Sequence, residues 1–191
     1  MKKLIYLCLA VGTIACSNIK SEKVAYYFSV DSLNRVQAQI LLDNKAKLFK
    51  FAVVNGDTTT TTFTPDSLQW ADEFQVFNHA DINKPAMKGN YKISVYNDTQ
   101  SNLKVKSYEA ISKGTAVQSL QLYFLDNIEK LKKLEMVTHE KNSIYNSTKH
   151  LNMEFDEVKG GLRLTSYTIT GYQKMILMDT VKFYLKGELR E

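Results

Sequence analysis

The sequence contains little cysteine, proline or glycine, and each shortage narrows the range of structures. Its two cysteines are Cys8 and Cys16, both near the N-terminus, so no disulfide framework stabilises the remainder. Two prolines and eight glycines in 191 residues argue against long disordered linkers. The chain must therefore depend on a hydrophobic core, and its length suits one domain.

Blocks of one charge are also missing. The net charge is +5, and the densest basic cluster, at residues 130–133, is flanked by glutamates. With no aromatic platform motif beside it, this cluster indicates a solvated face, so nucleic acid is not an expected partner. The 11 tyrosines and 9 phenylalanines favour a domain rich in β-sheet.

Recognisable catalytic patterns are absent. The sequence has no Gly-x-Ser-x-Gly motif, no phosphate-binding glycine loop and no cysteine nucleophile after Cys16. The adjacent carboxylates Asp72-Glu73 and Asp156-Glu157 point in different directions and indicate solvated turns. We therefore predict no catalytic residues, although a hydrolase acting on envelope polymers stays an alternative.

Metal and cofactor sites are not predicted either. His79, His139 and His150 fall on different predicted elements, without the close pairing that zinc ligands show. Asp31, Asp81 and Asn83 carry oxygen donors, but a calcium loop needs a denser set. The expected chemistry is thus binding without a metal or cofactor.

The first residues have the pattern of a secretory signal peptide. Lys2 and Lys3 precede an apolar run at residues 4–11, and Ala15 supplies a small residue at the cleavage site. The run is too short for a transmembrane helix, which needs about 20 apolar residues. We predict a signal peptide over residues 1–15.

Ala15-Cys16 followed by Ser17-Asn18 resembles the lipobox of bacterial lipoproteins. The resemblance implies acyl chains, palmitate among them, on Cys16, which would anchor the chain in a membrane. It also implies a tether over residues 16–25 before a single α+β domain at residues 26–191. The alternative is an ordinary signal peptide whose removal leaves Cys16 as a free thiol.

The residues after Cys16 predict which membrane receives the protein. Ser17 replaces the aspartate that retains lipoproteins at the inner membrane, which favours the outer membrane. The tether at residues 17–23 is weakly basic, whereas surface-export tethers are acidic. We therefore predict anchoring at the periplasmic face of the outer membrane.

Two helices are predicted. Apolar residues at helical spacing predict the first over residues 33–41, with Ser29 or Asp31 as N-cap and an end near Asn44. Thr64-Pro65 predicts the start of the second, which ends around Ala80. The second helix carries Trp70, Phe74 and Phe77 on one stripe.

Asn55-Gly56 between two β-forming runs is a strong hairpin signal. A two-residue turn pairs Val53 with Thr58, Phe51 with Thr60 and Phe49 with Thr62. Phe49, Phe51 and Val53 then share one face, which we expect to meet the second helix.

From Tyr91 onward the apolar residues alternate with polar ones, and turn signals recur at short intervals. The last predicted strand runs over residues 175–185, with Met175, Leu177 and Phe183 on one side. This pattern predicts an antiparallel meander. The predicted fold is α+β: a curved antiparallel sheet or half-barrel with two helices packed on its concave face.

Several segments resemble small outer-membrane lipoproteins of the Bacteroidota kind. The most specific is the loop Asp81-Ile82-Asn83-Lys84-Pro85-Ala86, and the stretches at residues 143–155 and 173–177 resemble their distal strands and last hairpin. No assigned activity comes with that resemblance, so it implies compartment and fold only. A fold-level likeness to the LolA/LolB-like lipoprotein-carrier half-barrel is an analogy.

Four short sequences resemble the O-glycosylation sites of exported Bacteroidota proteins, because Asp precedes Ser or Thr in each. The acceptors would be Ser32, Thr58, Ser67 and Thr180. Two of the four also fit helix starts, where Asp and Ser are favoured without glycosylation.

Two interpretations of function follow. In the first, the protein binds an apolar ligand in a site lined by Phe49, Phe51, Trp70, Phe74, Phe77, Leu177 and Phe183. These residues can instead form the core, and the second interpretation is an interaction subunit of an envelope complex. An enclosed cavity would favour the ligand, whereas a solid core with an exposed apolar patch would favour a partner.

Overall fold

The computed structural model describes residues 25–158 and 161–190. The predicted signal peptide, Cys16 and the tether up to residue 24 lie outside this part of the chain. Within it there are two α-helices, α1 (Val30–Asp43) and α2 (Ser67–His79). The strands of the described residues are β1 Lys47–Val54, β2 Asp57–Phe63, β3 Tyr91–Asn97, β4 Lys104–Ala110, β5 Val117–Phe124, β6 Leu131–Lys141, β7 Tyr145–Val158, β8 Gly161–Met175 and β9 Val181–Arg190.

All of these strands form one antiparallel sheet in the order β2-β1-β9-β8-β7-β6-β5-β4-β3. Strands β3 to β9 are a meander in which each strand pairs with the next along the chain. The first hairpin joins this meander by pairing β1 with β9. Since β2 and β3 occupy the two edges, the sheet is open. The predicted α+β class, with an antiparallel sheet and two helices, is confirmed.

The Asn55-Gly56 hairpin has the predicted register. Val53 pairs with Thr58, Phe51 with Thr60 and Phe49 with Thr62. Asn55 and Gly56 have φ angles of 52° and 99°, and both turn positions need positive φ when the turn has two residues. The turn chemistry in the sequence therefore determines this register locally.

Helix α1 begins and ends as predicted, whereas α2 begins later. Ser29 is the N-cap of α1 and accepts a hydrogen bond from the Ser32 backbone N–H, and Asn44 is the C-cap. In α2, Asp66 and Gln69 form a capping box, so the helix starts after Asp66 instead of at Thr64-Pro65. The reciprocal hydrogen bonds of this box satisfy two backbone donors, an advantage that a Thr64 cap lacks.

The buried stripe of α1 is more polar than its sequence predicts. Its buried residues are Val30, Asn34, Gln37 and Leu41, while Val36 is mostly exposed. Gln37 attaches the helix to β8: its Nε2 donates to the Leu162 carbonyl at 3.0 Å, and its Oε1 accepts from the Leu164 N–H at 2.7 Å. A buried amide with both ends paired is well accommodated.

The core lies between the helices and one face of the sheet. Trp70, Phe74 and Phe77 of α2 are buried there, as is Tyr167 of β8, whose ring meets Phe77 edge-on. The ring of Tyr167 occupies the space above Gly187 where any Cβ would clash. No helix in the described part of the chain combines the length and apolarity needed to cross a membrane.

Candidate functional site

The structure divides the predicted apolar lining into three groups. Trp70, Phe74 and Phe77 are buried between α2 and the sheet, and Phe183 is partly buried against the same core. Trp70 and Phe74 stack with ring centroids 5.8 Å apart. These four residues therefore contribute to the packed core.

Phe49 and Phe51 lie on the opposite face of the sheet, which corrects the predicted orientation of the hairpin. Side chains alternate along a strand, and it is Leu48 that is fully buried and Lys50 that reaches Glu73 of α2, at 2.6 Å. On the other face, Phe49 packs under the Arg190 guanidinium at 4.0 Å and Phe51 meets Tyr184 edge-on.

The prediction for Leu177 is wrong, as is the single strand over residues 175–185. A turn separates β8 from β9, and the Met178 N–H donates to the Met175 carbonyl at 3.2 Å. Leu177 has a φ of 60° and is 99% exposed. It therefore projects away from the domain and does not contact the core.

Leu177 belongs to a cluster of exposed apolar residues, which we name the apolar tip. Its members and their exposed fractions are Ile144 58%, Met175 41%, Ile176 60%, Leu177 99% and Met178 60%. The Ile176 N–H donates to the Ile144 carbonyl at 2.9 Å, which joins the β6–β7 turn to the β8–β9 turn. Two neighbouring turns thus bring exposed apolar side chains to the same end of the sheet.

Lysines surround the apolar tip. Lys141 and Lys174 both pair with Asn146 and so lie in one row across β6, β7 and β8. Lys182 is the second residue of β9, on the far side of the turn, and its N–H donates to Asn55 Oδ1 at 2.9 Å. Glu140 and Asp179 offset part of this positive charge.

The backbone conformation and the exposure of Leu177 do not stabilise the folded domain. A non-glycine residue in the left-handed region costs roughly 1–2 kcal/mol, and Gly or Asn adopts it more readily. Full exposure also forfeits the roughly 1.5–3 kcal/mol that burial of a Leu side chain contributes. Since neither feature stabilises the domain, the apolar tip has the properties of a binding surface.

Away from the apolar tip, the Glu73 carboxylate has structural partners. Glu73 is the most buried charged group with a described ion pair: its carboxylate accepts hydrogen bonds from Lys50 Nζ and from the Tyr167 hydroxyl. Burial, reinforced by Glu73, raises the pKa of Tyr167. A tyrosine held in its neutral form beside a paired carboxylate suits structural linkage more than acid–base chemistry.

The loop oxygens considered for a cation bind backbone groups instead. Asp81 Oδ2 accepts from the Asp31 N–H at 3.2 Å, and Asn83 Oδ1 accepts from Tyr26 N and Tyr27 N at 2.8 and 3.0 Å. Across residues 25–158 and 161–190, no cluster of three His, Cys, Asp or Glu side chains is arranged to hold a metal ion.

The four predicted O-glycosylation acceptors are all exposed. Ser32 and Ser67 lie in the first turns of α1 and α2, Thr58 lies on the edge strand β2, and Thr180 ends the β8–β9 turn. Their modification stays a prediction. Cys16, the predicted lipidation site, is outside the described residues.

Comparison with known proteins gives little further information. No protein-family model and no curated protein matches the chain. Among solved structures, the fold is similar to the crystal structure of a LolA superfamily protein from Nitrosomonas europaea, with a TM-score of 0.30 and 11% sequence identity. That match covers 86% of this chain and 95% of the other.

Proposed function

We propose that the chain is a lipid-anchored envelope protein that acts by binding, without catalysis, and that it contacts a phospholipid bilayer through the apolar tip. The observation that carries this proposal is the full exposure of Leu177 at the crest of a turn, flanked by exposed Ile176 and Met178. The alternative site between the helices and the sheet has weaker support, because Trp70, Phe74 and Phe77 fill it.

Insertion of Ile176, Leu177 and Met178 into a bilayer provides sufficient free energy for reversible binding. Burying each Leu, Ile or Met side chain gains roughly 1.5–3 kcal/mol, so three such residues gain several kcal/mol before immobilisation is counted. A lipid on Cys16 would keep the domain near a bilayer and raise the effective concentration of the apolar tip there. The two contacts together would give stable attachment.

A bilayer suits the apolar tip better than a protein partner does. A stable protein interface uses about 20–30 residues a side, whereas the apolar tip consists of a few side chains at the ends of two turns. Such a projecting shape enters a fluid lipid layer without requiring a complementary groove. An envelope protein that offers such a groove is the alternative partner.

The surrounding charges predict a modest preference for anionic lipid. Lys174 directly precedes Met175, and Lys141 lies in the same row across the sheet, so both would meet headgroups when Ile176, Leu177 and Met178 insert. Each lysine near a surface contributes about 1 kcal/mol. Glu140 and Asp179 reduce this attraction. We therefore expect the apolar side chains to dominate binding and salt to weaken it only slightly.

We place the protein at the periplasmic face of the outer membrane on the grounds of its first residues. The lipobox-like Ala15-Cys16, the following Ser17 and the weakly basic tether support this location. The intact mass of protein extracted from membranes tests the lipid, since diacyl and N-acyl groups add to the mass of a chain beginning at Cys16. Proteolysis of intact cells tests the side of the membrane, and digestion there would indicate surface exposure.

The test of bilayer binding uses residues 17–191, which include every described helix and strand but not the lipidated cysteine. Flotation with vesicles of phosphatidylethanolamine, with or without phosphatidylglycerol, measures the bound fraction. We expect the unmodified domain to float with vesicles and Leu177→Asp to bind at least tenfold more weakly. Asp tolerates the left-handed conformation, so this variant should fold normally.

Leu68→Asp is the matched control. Leu68 is 76% exposed in the first turn of α2 and follows β2, at the end of the sheet opposite the Asn55-Gly56 turn. Its substitution should leave flotation unchanged. An unmodified domain that stays in solution, or equal loss of binding by both variants, would overturn the proposal.

A further inference from the structure

The methionine sulfurs divide into a shielded set and an exposed pair. The sequence contains six methionines, and the five beyond its first residue all lie in the described part of the chain. Met136 and Met153 are buried in the core, and Met87 is partly buried against it. Met175 and Met178, in contrast, are exposed. The most accessible thioethers of the described residues therefore belong to the apolar tip.

The β8–β9 turn places these two thioethers on either side of its most exposed residue. Met175 ends β8, and its carbonyl accepts a hydrogen bond from the Met178 N–H at 3.2 Å. This hydrogen bond closes the turn around Ile176 and Leu177. A change of polarity at either sulfur therefore acts on the surface that we propose to contact a bilayer.

A thioether becomes polar when it is oxidised to the sulfoxide. With hydrogen peroxide, the sulfur lone pair attacks one oxygen atom, an S–O bond forms and the O–O bond breaks. Sulfur loses two electrons, and the second oxygen takes up the remaining hydrogen and leaves as water. The sulfoxide keeps its hydrogen-bond acceptor hydrated, so its transfer into an acyl layer is less favourable than that of the thioether.

Solvent access determines which sulfurs an oxidant reaches in the folded domain. The core shields Met136 and Met153 until the domain opens. The Met87 side chain packs against the core, and its sulfur lies 4.0 Å from Asn90 Nδ2. Oxidation under native conditions should therefore begin at the apolar tip and leave the packing of the core unchanged.

We infer that Met175 and Met178 are oxidation sites at which a peroxide releases the apolar tip from a bilayer, a role that rests on the proposed membrane contact. Two sulfoxides replace two of the five exposed apolar side chains of the tip. The change is reversible, because methionine sulfoxide reductases restore the thioether. In that step two thiols become a disulfide, and the sulfoxide oxygen leaves as water.

The test treats residues 17–191 with hydrogen peroxide under native conditions and locates added oxygen by mass analysis of peptides over time. We expect oxidation at Met175 and Met178 at least tenfold faster than at Met136 or Met153, and earlier than at Met87. Flotation with phosphatidylethanolamine–phosphatidylglycerol vesicles should then fall at least fivefold. Treatment with methionine sulfoxide reductases for both sulfoxide epimers, with dithiothreitol as reductant, should restore it.

The double variant Met175→Leu/Met178→Leu has an apolar tip without sulfur. Peroxide should therefore leave the flotation of this variant at its own untreated value. Met87→Leu is the matched control, because it removes a sulfur away from the tip. Its flotation should fall on treatment as that of the unsubstituted domain does.

Failure of the release and failure of the membrane contact give different results. A domain that does not float before oxidation would overturn the membrane contact and the release with it, while the peptide masses still decide the oxidation sites. Flotation that persists when both sulfurs are oxidised would overturn the release alone. Oxidation that begins at Met87, or an equal fall in the double variant, would also overturn it.

Discussion

At the scale of single residues, Glu73 connects three elements. It lies in α2, and its carboxylate accepts a hydrogen bond from Lys50 of β1 at 2.6 Å and another from the Tyr167 hydroxyl of β8. The Glu73 side chain is 12% exposed and Lys50 is 31% exposed, so the pair is only partly screened by water. Removal of one partner leaves the other buried group under-satisfied.

We expect Glu73→Ala to lower the free energy of unfolding by about 2–3 kcal/mol, because the Tyr167 hydroxyl loses its hydrogen-bond acceptor and a cavity is left. Tyr167→Phe should cost about 1–2 kcal/mol. Urea denaturation of both single variants and of the double variant measures their coupling. Losses that add without coupling would contradict the described hydrogen bond.

Lys132→Ala is the matched control for this prediction. Lys132 pairs with Asp156 at 2.7 Å, but the Asp156 side chain is 65% exposed. Exposed ion pairs contribute about 0–1 kcal/mol, so this variant should change stability little. A loss as large as that of Glu73→Ala would mean that burial does not distinguish the two pairs.

At the scale of elements, the loop after α2 forms hydrogen bonds with the first described residues, up to the start of α1. Asp81 lies at the N-terminus of α1, where a carboxylate is favoured by the helix dipole, and Ile82 is fully buried. Asn83 Oδ1 accepts the backbone N–H groups of Tyr26 and Tyr27. These bonds give a structural reason for the Asp-Ile-Asn sequence in the loop.

Asn83→Ala should therefore release residues 25–28 without unfolding the rest. We expect faster amide hydrogen exchange in that segment, while the sheet exchanges as before, because only two local hydrogen bonds are lost. Asn90→Ala is the control, since the Asn90 side-chain amide makes long contacts, at 3.4 Å to the Ala86 carbonyl and at 4.0 Å to Met87 Sδ. Unchanged exchange at residues 25–28 in Asn83→Ala would contradict this role.

The elements also show how far the sequence alone predicts this fold. The first hairpin was predictable in register because Asn55-Gly56 determines its turn locally. The buried face of this hairpin was not predictable. Phe49 and Phe51 are apolar and therefore predicted the core face, whereas the face that meets the core depends on the contact of Lys50 with a distant helix. Local turn chemistry is visible in a sequence, whereas a partner from another element is not.

The apolar tip could not be predicted for a related reason. Met175, Ile176, Leu177 and Met178 form an apolar run without glycine or proline, which is typical of a buried strand. The turn is visible only when Ile176 pairs with Ile144 and Leu177 adopts its positive φ. Because apolar residues usually indicate burial, the sequence does not distinguish an exposed apolar surface from the residues of the core.

At the scale of the whole molecule, the packed core and the apolar tip occupy different parts of the sheet. The helices cover one face of the sheet and bury its aromatic side chains, which leaves the end formed by the β6–β7 and β8–β9 turns free. The central claim is that this end of the sheet enters a bilayer.

The most direct test of this claim places a fluorescent reporter at position 177 of the apolar tip. Residues 17–191 contain no cysteine, so Leu177→Cys accepts a single environment-sensitive dye, and Leu68→Cys gives a matched control. With phosphatidylethanolamine–phosphatidylglycerol vesicles, we predict a blue shift and protection from an aqueous quencher at position 177 only. Emission at position 177 that stays unchanged, or shifts no more than at position 68, would contradict the account.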